Sequence, residues 1–94
     1  MIISDMSIIV SPADGDKFRA RVMQLTNNAV DVLDEYVIRV REDDALDAFP
    51  GAAAYSASMA WAAREAARRS GYTGRLVGAY AGHDFVFVAI DERG

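Results

Sequence analysis

β-Branched clusters and short alternating stretches of apolar and polar side chains mark the first forty residues, and an alanine-rich run follows them. Met6–Val10 (Met-Ser-Ile-Ile-Val) reads as a strand because β-branched residues cluster there, and Ser11-Pro12 closes it. Ala13-Asp14-Gly15-Asp16 is a turn or loop. From Lys17 onward two periods compete. Phe18, Ala20 and Val22 share one strand face, with Arg19 and Arg21 on the other. Phe18, Val22, Leu25, Ala29, Val32 and Tyr36 also fall at the 4-3-4-3-4 spacing of a helix over 16–35. Thr26-Asn27-Asn28 favours the strands, since paired Asn accept left-handed backbone and suit a tight turn but weaken a helix interior. The predicted hairpin pairs 17–25 with 29–33, and a helix over 16–35 is the alternative. Asp34-Glu35 marks a bend, and Tyr36–Arg41 alternates again as a strand.

Glu42-Asp43-Asp44-Ala45-Leu46-Asp47-Ala48-Phe49-Pro50 reads as an acidic connector. Pro50-Gly51 fits a helix start, and Ala52 to Ser70 is dense in the best helix former. Arg64, Arg68 and Arg69 sit toward its end, where cations favour the helix dipole, and Gly71 is the expected stop. Arg75–Tyr80 and Phe85–Ile90 are strands joined by Ala81-Gly82-His83-Asp84, a four-residue glycine-bearing hairpin loop. The predicted fold class is α+β. An antiparallel four- to five-stranded sheet carries one alanine-rich helix on one face, in the order β-β-β-α-β-β, as a single domain over residues 1–94.

At 100° per residue, Tyr55, Met59, Ala62, Ala63, Ala66 and Ala67 form the inner stripe of the helix. Arg64, Glu65 and Arg68 lie opposite, with Ala54 and Ala57 among them. Trp61 stands in the centre of that polar face. Tryptophan and arginine are the residues most enriched in binding hot spots, so Trp61, Arg64 and Arg68 are candidate partner-binding residues. The competing readings are that the chain's own N-terminal segment covers Trp61, or that it lies flat on the helix with Arg64 or Arg68 stacked on it. If Trp61 serves a partner, Trp61→Ala leaves folding nearly unchanged. In the last strand Phe85, Phe87 and Ala89 point one way and Val86, Val88 and Ile90 the other. A strand that is apolar on both faces is normally covered on both. One helix covers one face, so the second calls for the 16–35 segment, a second copy of the chain (a homodimer) or another protein.

Charge and composition narrow the function. A hydrophobic fraction of 52% rules against disorder. The absence of cysteine excludes disulfides, thiolate metal sites and cysteine nucleophiles. The N-terminus lacks a basic signal-peptide region, and no apolar run reaches the roughly 18 residues of a membrane span, which makes a cytoplasmic protein the expectation. The net charge of −4 disfavours nucleic-acid binding and suits a protein partner with a basic surface. Glu42, Asp43, Asp44 and Asp47, the densest charge cluster, are either a solvated loop or a steering surface for that partner. Arg19 with Arg21, or Arg39 with Arg41, could meet phosphate but more often form a solvated face. His83-Asp84 could act as base and orienter, but no nucleophile is placed for it. Asp14-Gly15-Asp16 is too short for a calcium loop. No cofactor, metal or catalytic residue is assigned, and the expectation is a non-enzyme. A small dimeric ligand-binding or enzymatic domain, with a pocket at the sheet face and His83-Asp84 at its rim, is the alternative.

A strand-rich first half, then Pro50-Gly51-Ala52-Ala53-Ala54 opening an alanine-rich helix with Met59 and Trp61, then a closing hairpin over 75–90, resembles small phage-encoded anti-CRISPR inhibitors of type I systems. The likeness covers residues 36–90 and lies in architecture and composition. It implies a non-enzymatic inhibitor that binds a basic surface of a nucleic-acid-handling complex, and it carries over no functional residue.

Overall fold

A computed structural model describes residues 2–26, 29–72, 75–81 and 84–91, with side chains at 6–24, 31–72, 76–78 and 85–87. The elements are β1 (Ile2–Pro12), β2 (Lys17–Thr26), β3 (Ala29–Arg39), α1 (Glu42–Ala48), α2 (Ala54–Arg69), β4 (Arg75–Ala81) and β5 (Asp84–Asp91). The strands form one antiparallel sheet in the order β3-β2-β1-β5-β4. The α+β class and the long helix on the sheet match the sequence reading.

The described part of this segment is two strands, Lys17–Thr26 and the run from Ala29, and not the alternative helix over 16–35. β2 and β3 pair from Lys17↔Arg39 down to Thr26↔Ala29, and the predicted turn residues Asn27 and Asn28 lie outside the described residues. The strand pattern won because β2 alternates cleanly, with Phe18, Ala20 and Val22 buried and Arg19 and Arg21 exposed. The expected bend at Asp34-Glu35 is a register shift one residue earlier. Val22 faces Asp34 while Met23 faces Val32, so Leu33 is the extra residue of a bulge and 29–39 is one continuous strand. β1 is also longer than Met6–Val10. It pairs with β2 and β5, and Pro12 is its last residue, opposite Phe18.

The acidic connector is a helix. Glu42, Asp43 and Asp44 fill the first turn of α1, where carboxylates favour the positive end of the dipole. Ala45 is fully buried and Leu46 and Phe49 are half-buried against the core. Pro50-Gly51 does not start α2 but turns the chain between the helices. The Ala52 N–H donates to the Phe49 carbonyl at 3.3 Å and Gly51 has φ +86°, the pattern of a type II turn. α2 ends as expected. Gly71 has φ +90°, its N–H donates to the Arg68 carbonyl, and the Tyr72 N–H donates to that of Ala67, which together form a Schellman cap.

The core lies between the sheet and α2. Ile8 and Val10 of β1, Phe18, Ala20 and Val22 of β2, Ile38 of β3 and Phe87 of β5 point toward Met59, Ala62, Ala63 and Ala66. The alanines let the helix axis lie close to the sheet. Met59, fully buried, supplies the flexible volume that fills the gap they leave. Two helix positions depart from the wheel. Tyr55 is exposed at the inner stripe's edge, with its ring 6.1 Å from Phe18. Ala57, assigned to the outer face, is fully buried because α1 packs on α2 there.

Candidate functional site: the outer surface of the helical layer

α2 brings three of the sequence-selected residues together. Trp61, Arg64 and Arg68 lie on successive turns and line one cleft of about 310 Å³ with Glu65, Tyr72 and Leu76. Trp61 is half-buried and packs against the hydrophobic core. One side of the indole therefore packs on the core, and the other lines the cleft. Among the described residues neither arginine stacks on it. Arg64 instead places its guanidinium 5.2 Å from the centroid of the Phe49 ring, a cation–π contact that ties the end of α1 to the cleft.

The arginines on the last turns are held by Glu65. It accepts hydrogen bonds from Arg68 and, at 3.4 Å, from Arg69 Nε. These bonds, the one from Arg68 foremost, hold its carboxyl below the usual carboxylate range against an opposing desolvation, since the side chain is only 15% exposed. The same pairing raises the Arg68 guanidinium further. Arg69 also lies 5.7 Å over the Tyr36 ring, and Ser70 Oγ donates to Asp34 Oδ2 at 3.4 Å and sits 3.3 Å from Tyr36 Oη. The C-terminal end of α2 is thus clamped to β3, which fixes the orientation of the cleft.

Glu42, Asp43, Asp44 and Asp47, all exposed, stand on α1. A rigid helix rather than a loop presents them, so their spacing is set. Glu42 and Asp43 also border a second, larger concavity of about 690 Å³, walled by Phe18, Val40, Tyr55 and Ser58. It opens between α1, α2 and the β1–β2 turn. His83 lies outside the described residues, as does the side chain of Asp84. Among the described residues no group of three or more His, Asp or Glu is placed to hold a metal, and no helix is long and apolar enough to cross a membrane.

The position of α1 was missed in the sequence, although the signal was there. An acidic first turn, apolar residues at Ala45, Leu46 and Phe49, and a proline stop together describe a short amphipathic helix. No protein-family model matches the chain, and no curated protein or solved structure matches it.

Proposed function

We propose that this chain is a non-enzymatic protein-binding module, a small acidic inhibitor that docks its helical layer on the basic surface of a nucleic-acid-handling complex. The observation that carries the reading is the cleft in which Trp61, Arg64 and Arg68 converge, joined through Phe49 to a helix bearing four exposed carboxylates. An aromatic anchor with arginines beside it suits the desolvated centre of an interface. Rigidly held acids at its flank suit the steering of a basic partner, which acts mainly on the association rate. The resemblance to phage-encoded anti-CRISPR inhibitors supplies the class of complex. The test is affinity purification from the native host with three baits: wild type, Trp61→Ala, and the Glu42→Lys/Asp43→Lys/Asp44→Lys/Asp47→Lys variant, each first shown to be folded. A stoichiometric protein retained by wild type and lost from both variants is expected. Equal retention by all three contradicts the reading.

A second reading, a small-ligand-binding domain, is favoured by the 690 Å³ concavity, whose size falls within the range of ligand pockets. A small molecule that raises the melting temperature of wild type but not of a Tyr55→Ala or Ser58→Leu variant would select it.

A further inference from the structure

The face of the sheet opposite α2 is uncovered among the described residues. The charge of its described residues is opposite to that of the whole molecule. Register places Glu35, Arg21, Ile9 and Val86 in one row across four strands, and Val32, Met23 and Ser7 in the next. Lys17, Arg19 and Arg39 occupy the corner beyond. Three exposed aliphatics stand on this face: Val32 at 56%, Val37 at 53% and Val77 at 45%. Arg19 and Arg21 share Glu35, at 3.0 and 3.9 Å, and Arg39 reaches Asp16 at 3.4 Å. Among the described residues four cations thus face two carboxylates, in a protein whose net charge is −4.

Five strands about 4.8 Å apart, each contributing some seven residues, make a patch on the order of 500 Å². We infer that this face is a second docking surface, and that its occupant is an amphipathic helix of a partner protein with an aliphatic stripe flanked by Asp and Glu. The stripe covers Ile9, Met23, Val32 and Val77, and the acids meet Arg19, Arg21 and Lys17. This is helix docking read through i, i+3, i+4 and i+7 anchors.

Other occupants fit less well. A second copy laid face to face sets a surface with more cations than carboxylates against its own like, so the two excess positive charges oppose each other. The acidic α1 of a second copy offers charge but no free apolar stripe, since Ala45 is buried and Leu46 half-buried. Single-stranded nucleic acid stacks its bases on aromatic side chains, and the described residues of this face include none. The inference is independent of the helical-layer reading, because the two surfaces lie on opposite sides of the sheet.

The test uses a synthetic 18-residue helical peptide with leucines at i, i+3, i+4 and i+7 flanked by glutamates. A lysine-flanked version and a dT20 oligonucleotide serve as comparisons. The glutamate peptide is expected to shift the amides of Ile9, Arg21, Met23 and Val86. Arg19→Glu/Arg21→Glu should weaken it at least tenfold. Arg19→Gln/Arg21→Gln, which spares Glu35 a like-charge neighbour and guards against misfolding, should weaken it several-fold. Shifts confined to α1 and α2, equal binding of the lysine peptide, tighter binding of dT20 at the same amides, or concentration-dependent dimerisation abolished by Val77→Asp would each overturn the inference.

Discussion

Gly78→Ala should destabilise the protein by about 2 kcal/mol, although it adds one methyl group to an edge strand. Gly78 of β4 faces Phe87 of β5 in register. Phe87 is 5% exposed and stacks on Phe85 with centroids 4.8 Å apart and rings 18° from parallel. A Cβ at position 78 would lie 2.5 Å from Phe87 Cε2 and 2.7 Å from Phe85 Cε1, closer than carbon atoms approach. The glycine is required for space and not for backbone freedom, since the two rings lie where its side chain would be. Moving them costs about 1–3 kcal/mol in overpacking and forfeits part of a stacking contact worth about 0.5–1.5 kcal/mol. Relief of glycine's entropy in a strand returns about 0.5–1 kcal/mol. The net loss of about 2 kcal/mol corresponds to a melting temperature lower by about 8–16 °C in a domain of this size. Urea unfolding followed by the fluorescence of Trp61, the one tryptophan, reads it directly. The same substitution in a Phe85→Leu background should cost less, because the Phe85 clash is removed and Phe87 can shift toward the space the smaller side chain leaves. A Gly78→Ala protein as stable as wild type would refute the packing described for β4 and β5.

Other perturbations separate core from surface. Met59→Ala, at a fully buried position surrounded by alanines too small to collapse into the void, should cost about 2–5 kcal/mol by thermal or urea unfolding. Trp61→Ala, which removes a half-buried indole, should cost only about 1–2 kcal/mol, measured the same way. Glu65 has a carboxyl held below its unfolded range, so its contribution is present at neutral pH and is lost as pH falls through the lowered folded value. The difference in stability between wild type and Glu65→Gln, under about 1 kcal/mol at neutral pH, should therefore shrink as the pH falls below the usual carboxylate range in acid titrations monitored by circular dichroism.

The parts legible from sequence were those in which one local signal had no rival. The alanine run, Arg68 and Arg69 near its end, and Gly71 all point to one helix and one stop, and α2 ends there in a Schellman cap. β2 carried two readable periods, and only alternation between buried Phe18, Ala20 and Val22 and exposed Arg19 and Arg21 is realised. Tertiary relations were not legible. α1 contacts α2, and that packing buries Ala57 on a face a helical wheel assigns to solvent. The bulge at Leu33 depends on pairing with β2, which no residue of β3 encodes alone. Trp61 was rightly singled out as unusual, but a wheel cannot reveal that a side chain pointing away from the sheet still reaches the core along the flank of its helix. The cleft also needs Tyr72 and Leu76, which follow α2 and join it only through the cap and the return of β4.

Docking through the helical layer is tested most directly by hydrogen–deuterium exchange on the chain alone and in complex with the protein it co-purifies with. Slowed exchange is expected across α1 and across the second half of α2 through Tyr72, with the largest change around Trp61, Arg64 and Arg68. Unchanged exchange at both α1 and the cleft in a stoichiometric complex would contradict the assignment of this surface.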